Sequence, residues 1–327
     1  MRLCFIVANL IAALMAAFLP HPAKALQADR SLNPSESWIS VDSTSLYARV
    51  IGQGPPVIVL HGGPDFDHAY LLPELDRLKD AFRLIYYDQR GRGRSAANVS
   101  PEDVTLTSDV EDVERVRQHF GLEAPVLLGH SWGAVLALEY ALRHPRRVSH
   151  LILMNPAPAS ASDLAVFRNV YLEQLGADMD RQREILASAA YQAGDPEAVT
   201  ARYRIHFKLA LQRTEDYEKL MARMQTAFIS QGREGILKAR AVEDQLLRDT
   251  WQLPGYDLMP ELRNLLIPTL VIASDHDFIP VQVGERVAQA LPNAELVTIE
   301  DCGHFTFLEC PSEVRDALNN FFARHRE

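Results

Sequence analysis

Little in this 327-residue sequence points to a metal, a nucleotide or a nucleic acid. Cysteine occurs three times, with no C-x-x-C or H-E-x-x-H spacing, so no patterned metal site is expected. Asp275-His276-Asp277 groups three ligand-type side chains, but no partner ligands accompany them in the sequence. No glycine-rich loop runs into a Gly-Lys-Ser/Thr ending, which removes the phosphate-cradling loop of nucleotide-binding proteins. There is no Lys/Arg-rich tract. The formal net charge is −10, and Arg90, Arg92 and Arg94 are too few and too glycine-spaced to form a basic patch. Neither nucleic acid nor an anionic membrane surface is therefore an expected partner. No internal repeat or low-complexity tract is present. What is left is an ordinary composition, 47% hydrophobic and 23% charged. It bounds the chain as one large globular domain, or one domain with an insertion.

The one long apolar run lies at the N-terminus. Arg2 precedes Leu3 to Leu19, broken only by Asn9, and Ala23-Lys24-Ala25 follows. A positive start, a short apolar core and an Ala-x-Ala site read as a secretory signal over residues 1–25, cleaved after Ala25. The run is short for a membrane span, so no membrane contact is expected beyond this segment. The expected location is secreted or periplasmic. Cys4 leaves with the signal, whereas Cys302 and Cys310 stay in a compartment that permits disulfides. Their spacing fits either a bridge or two separate buried thiols.

Beyond the signal, apolar runs and helical patterns alternate. Trp38 to Val41 and Ser45 to Val50 alternate as an edge hairpin. Pro56 to Leu60 is a continuous apolar run, the pattern of a strand buried on both faces. Tyr70 to Lys79 has helical leucine spacing, Phe82 to Tyr87 is the next buried strand, and Thr107 or Ser108 can cap a helix to Phe120. Strand-like runs recur at Pro125–Leu128, Val148–Met154, Thr269–Ala273 and Ala294–Ile299, and an amphipathic helix runs from Val314 to His325. The alternation predicts an α/β fold with a mostly parallel, doubly wound sheet. It stops near Pro158. From Asp163 to about Trp251 every pattern is helical, too long a stretch for a loop. The expected organisation is a core of residues 26–157 and 263–327 with an inserted all-helical cap at 158–262.

The chemistry gathers around Gly129-His130-Ser131-Trp132-Gly133, which sits between an apolar run and a helical pattern. Strand, sharp turn and helix with a serine at the apex is the context of a nucleophile elbow. The turn strains the serine backbone, and side chains two positions away on either side would collide with neighbouring chain. A serine nucleophile needs a base, and the base an orienting acid. In such a fold they follow in the order Ser, Asp or Glu, His, each after a strand. Asp277 follows the run ending at Ala273, and His304 follows the run ending at Ile299. Asp275 competes with Asp277 for the acid, but Asp277 lies further along the loop, just ahead of Pro280, and is preferred. His61-Gly62-Gly63-Pro64 follows a buried strand, so backbone N–H groups of Gly63 and of Trp132 are the candidate oxyanion donors. Asp65, beside that loop, is a candidate partner for a cationic substrate group, with simple helix capping as its other reading. No cofactor is called for.

Three motifs together, His61-Gly62-Gly63-Pro64, Asp88-Gln89-Arg90-Gly91-x-Gly93-x-Ser95 and Gly129-x-Ser131-Trp132-Gly133, resemble the proline iminopeptidase (prolyl aminopeptidase) family of α/β-hydrolases. The resemblance covers roughly residues 45–157 and 265–325. It implies an α/β-hydrolase fold and a serine peptidase that releases an N-terminal residue, typically proline, from short peptides. Ser131 would be nucleophile, Asp277 acid and His304 base. The chain departs from the family at Asp65, where glycine is usual, and at Gly129-His130-Ser131, where Gly-Gly-Ser is common. That family holds the substrate amine through cap glutamates in a tryptophan-rich context. Glu215, Glu218 and Glu243 lack that context and read as solvated helix faces. A carboxylesterase or lactonase acting on a small ester is the alternative that the same machinery allows.

Overall fold

The computed structural model describes residues 33–325, so the expected signal at 1–25 lies outside the described residues. Among those residues no helix is long and apolar enough to cross a membrane. Eight strands make one sheet: β1 (Ser35–Val41), β2 (Thr44–Ile51), β3 (Pro56–Leu60), β4 (Arg83–Tyr87), β5 (Val126–His130), β6 (His150–Met154), β7 (Thr269–Ser274) and β8 (Ala294–Ile299). Their order is β1-β2-β4-β3-β5-β6-β7-β8. The β1–β2 and β2–β4 pairs are antiparallel and the others parallel. β1 begins at Ser35 rather than Trp38, because Ser35 to Ser37 still pair with Ala48 to Val50.

Both faces of the sheet are covered, which is why its central strands read as unbroken apolar runs. Along β3, Val57 and Val59 join one core, and Ile58 and Leu60 the other. The helices α1 (Leu106–His119) and α2 (Trp132–Arg143) pack on the second face through Val110, Val113, Val135 and Leu136. Between β6 and β7 the chain makes six helices, of which the first five are α3 (Ala161–Leu175), α4 (Asp178–Ala187), α5 (Ala189–Gln192), α6 (Pro196–Phe207) and α7 (Thr214–Asp249). Tyr203, Phe207, Leu220, Met224 and Phe228 of this insertion share a core with the first face of the sheet. A short α8 (Met259–Leu262) leads back to β7, α9 (Val281–Ala290) joins β7 to β8, and α10 (Thr306–Glu309) and α11 (Pro311–Arg324) close the chain.

Two further local readings change. Residues 70–79 do not form one helix but two 3-10 turns, His68–Leu71 and Leu75–Leu78. Pro73 lies between them and cannot supply the N–H that a continuous helix needs. The cap of α1 is Thr105, not Thr107 or Ser108. Thr105 and Ser108 exchange side chain-to-backbone bonds of 3.1 and 2.9 Å in a capping box. Gly232 interrupts α7 at φ 64°, so α7 is two helical stretches meeting at a glycine.

Candidate active site

Ser131 stands at the junction of β5 and α2 with φ 56° and ψ −119°, a conformation costly for a non-glycine residue. Its surroundings hold it there. Its N–H donates to Met154 O at 3.0 Å, and its carbonyl accepts from Ala134 and Ala157 N at 3.0 and 3.1 Å. The flanking glycines follow from close approach. A Cβ at Gly129 would lie 2.3 Å from Gly133 O, and one at Gly133 would lie 2.0 Å from Leu60 O.

Asp277 and His304 come from the loops after β7 and β8 and meet directly. His304 Nδ1 lies 3.0 and 2.9 Å from the two Asp277 oxygens. The carboxylate is held from behind, with Oδ2 accepting from Asn155 Nδ2 at 2.9 Å and Oδ1 from Ile279 N at 2.8 Å. Asn155 is itself fixed, donating to Ser274 Oγ at 2.8 Å and accepting from Thr306 Oγ1 at 2.7 Å. Asp275 is turned away and exposed. Its ligand atoms gather instead with those of His276 and Asp301, all within 4.8 Å of one another at the surface.

The His304 loop is braced from three directions. Cys302 and Cys310 are joined by a disulfide, which settles the open alternative in favour of the bridge. His304 N donates to Ala210 O at 2.7 Å, in the connection between α6 and α7. Buried Glu309 accepts from Gly303 N at 2.8 Å and from Gln212 and Arg213 N at 2.6 and 2.8 Å, tying that same connection to the loop.

A buried relay links this loop to the elbow and to the glycine loop. His130 Nε2 lies 3.0 Å from His304 O, which can only accept, so Nε2 carries the proton. Nδ1 must then accept, and Tyr70 OH donates to it at 2.8 Å while accepting from Gly62 N at 2.7 Å. Burial depresses the His130 pKa well below the usual histidine value, which keeps the ring neutral. Gly62 N is therefore committed within the loop. Gly63, at φ 125°, faces the cavity beside Ser131.

That cavity, about 160 Å³, is lined by Gly63, Asp65, Ser131, His304 and side chains of the helical insertion. Its walls are aromatic: Phe66 lies 5.1 Å from Tyr203, and Phe278 4.7 Å from the His304 ring. A family model for the alpha/beta hydrolase fold matches residues 55–311, well over half of the chain. The chain belongs to the α/β-hydrolase fold family. It is similar to the proline iminopeptidase of Saccharolobus solfataricus, 26% identical over 305 residues, covering 89% of this chain and 93% of that one. The Lactobacillus helveticus proline iminopeptidase is 28% identical over 291 residues, covering 86% and 95%. Among solved structures, a proline iminopeptidase-related protein from Thermus thermophilus superposes with a TM-score of 0.69 at 24% identity, covering 89% and 98%. An N-acyl homoserine lactone degrading enzyme does so with 0.63 at 22%, covering 87% and 100%. At these identities the two structures speak to fold alone.

In this α/β hydrolase, sequence patterning overlooked several side chains at the cavity. Glu243 was expected on a solvated helix face, but it lines the cavity. It borders the buried stripe Ile236, Ala239, Val242 and Leu246 of α7, whose spacing turns that face inward. Burial, reinforced by the Asp65 charge, pushes its carboxyl up to about 8. Asp65 caps nothing in the following turn, where Asp67 is the cap. Asp65 Oδ2 accepts from Tyr203 OH at 2.5 Å, and burial raises its pKa too. Arg202 and His206 of α6 also line the cavity. Glu215 and Glu218 do lie on exposed faces, paired with Lys219 and Arg204.

Proposed function

We propose that this chain is a serine hydrolase of the aminopeptidase kind, releasing N-terminal proline or a similar residue from short peptides. One observation carries the reading: a single cavity holds Ser131, His304 and the carboxyl groups of Asp65 and Glu243. The Asp277 carboxylate binds Nδ1 of His304, so that nitrogen keeps its proton and Nε2 is the free base. Ser131 Oγ attacks the carbonyl carbon while Nε2 takes its proton, and Asp277 holds the tautomer and stabilises the imidazolium. The N–H groups of Gly63 and Trp132 receive the oxyanion. Trp132 is the first residue of α2, where an N–H lacks a partner within the helix and the dipole is positive. His304 then gives the proton to the leaving amine. Water, activated by the same nitrogen, cleaves the acyl-enzyme and restores Ser131.

Asp65 is the substrate-binding residue, pairing with the ammonium or imino cation of the first residue. A panel of prolyl 2-naphthylamide, its N-blocked form and p-nitrophenyl esters tests this. Cleavage of the free amine substrate and not of the blocked one is expected. Ester cleavage without any prolyl naphthylamide turnover would move the reading to a carboxylesterase or lactonase on a small ester.

The proposed location is secreted or periplasmic. The Cys302–Cys310 bridge supports an oxidising compartment, and the run Leu3 to Leu19 with its Ala-x-Ala site supports export. A mature chain starting at Leu26 is expected in the periplasmic or extracellular fraction. Recovery of uncleaved protein from the cytosol would overturn that placement.

A further inference from the structure

The arginines buried elsewhere in this protein are paired by forked bonds. Arg92 reaches Asp109 at 2.6 and 3.2 Å, and Arg90 reaches Asp112 at 2.9 and 2.6 Å. Buried Arg117 forks onto Glu114, and the half-buried Arg49 and Arg223 fork onto Asp76 and Glu74. Arg202 breaks this rule. It lines the cavity that holds Ser131, and its Nε is buried with no hydrogen-bond partner. Among the described residues no carboxylate forms an ion pair with it. Arg92 also leaves Nε unbonded, but both of its terminal nitrogens are engaged, on Asp109, Gln89 and Arg90.

The acids nearest Arg202 are occupied otherwise. Asp65 turns Oδ2 to the Tyr203 hydroxyl, and Glu243, held up to about 8 mainly by burial, is largely uncharged at neutral pH. The guanidinium itself is steadied over the Tyr203 ring, 4.4 Å from its centroid. A guanidinium cannot shed its proton, and a substrate filling the cavity strips solvent from it. An anion on the substrate offsets that cost more fully than a neutral acceptor, and a planar two-oxygen group matches the fork best.

We propose that Arg202 recognises a free carboxylate on the substrate. Resting on the hydrolytic reading of the Ser131 cavity, this narrows the preferred peptides to dipeptides, whose leaving residue carries its own α-carboxylate close to the cleaved bond. Longer peptides and C-terminal amides lack a carboxylate at that position.

The test compares prolylglycine with prolylglycinamide, and butyryloxyacetate with butyryloxyacetamide, whose leaving glycolate or glycolamide places the group on the same side of the cleaved bond, so that it can be read on amides or on esters. For the wild-type protein kcat/KM should favour the acid of each pair by roughly tenfold or more, the scale of one charge-assisted fork. Arg202→Met should bring the ratio to about one, chiefly by raising KM for the acids, and Arg202→Lys should recover part of it. Arg204→Met, on the same helix but paired with Glu218 at the surface, should leave the ratio as it was. A wild-type ratio near one overturns the proposal without needing any variant. So does Arg202→Met if it slows acid and neutral substrates by the same factor, since that is the mark of a counterion for Asp65. Loss of peptide turnover with ester turnover intact would fail the aminopeptidase reading, while the ester pair still decides the role of Arg202.

Discussion

Two regions of this molecule bury charge, and they do it in opposite ways. After β4, Arg90 forks onto Asp112, both terminal nitrogens of Arg92 are engaged with Asp109 among their partners, and Asp88 accepts from His68 Nδ1 at 2.6 Å and from Arg94 N at 2.8 Å. In the cavity under α6 and α7, Arg202 has no ion-pair partner among the described residues, and Asp65 turns to the Tyr203 hydroxyl rather than to a cation, although burial raises the carboxyl pKa values of Asp65 and Glu243 here and of Asp109 and Asp112 there alike. A saturated cluster has nothing left to offer a ligand and only holds chain together. An unsaturated one stores an unmet electrostatic demand that a substrate can satisfy. The contrast separates scaffold from site more sharply than burial does, since both regions are buried.

The comparison breaks most easily at the nucleophile. Ser131→Ala should cut turnover on the order of 10⁴-fold or more, with an unchanged denaturation midpoint. Normal turnover in purified variant protein would remove Ser131 from the chemistry. The saturated region should answer in the reverse sense. Arg92→Met leaves the Asp109 carboxylate buried and unpaired, a loss of about 3–5 kcal/mol in unfolding free energy. Turnover per folded molecule should stay near wild type, and a double replacement of Arg92 and Asp109 by apolar residues should recover much of the stability. A large fall in turnover with little change in stability would make the two regions alike.

Asn155 lies between the two kinds of region, a saturated group that serves the site. Asn155→Ala deletes its bonds to Asp277, Ser274 and Thr306. The bond to the charged carboxylate is of the kind that contributes about 1.5–3 kcal/mol, so kcat should fall roughly tenfold to a hundredfold with KM little changed. An unchanged kcat would show that Asp277 is held well enough by Ile279 N alone.

How far the sequence reaches follows the same division. Chain order and glycine spacing carry the Ser131 turn and the Asp277–His304 contact, because close approach at Gly129 and Gly133 leaves no other residue type. The alternation of apolar runs carries the sheet. Local pattern fails where tertiary partners decide. Arg90 and Arg92 look like surface charge until Asp109 and Asp112 on α1 meet them. Glu243 looks solvated until α7 folds over the cavity. Asn155 and Glu309 are ordinary polar letters whose partners lie far along the chain, such as Asp277 for the first and Gln212 for the second. The Tyr70–Lys79 helix fails on one local fact, Pro73, whose effect outweighed the leucine spacing.

The Cys302–Cys310 bridge gives a smaller lever on the base loop. Replacing both cysteines by serine should lower stability by roughly 2–3 kcal/mol on the loop-closure argument. The Ala210 and Glu309 contacts should keep His304 placed, so activity should survive at moderate temperature. Reductant should reproduce the stability loss in the wild-type protein and leave the double variant untouched.

The gentlest test uses pH on the cavity itself. Glu243 is held up to about 8 in the fold, against 4.5 for a solvated glutamate, so the folded state keeps a proton that the unfolded chain loses. Stability therefore falls as pH rises through that window, and the loss is complete above the folded value. Glu243→Gln, neutral throughout, removes this slope. Unfolding curves should coincide near pH 4 and separate in favour of the variant up to about pH 8, then run parallel. A cationic substrate binding beside Glu243 would favour its ionised form, so the wild-type protein should release protons on binding near pH 7, and the variant fewer. That release is readable as a dependence of binding heat on buffer ionisation enthalpy. Equal release from both proteins, or stability curves that never diverge, would mean that Glu243 is as solvated as the saturated region is closed, and the contrast between the two would rest on Arg202 alone.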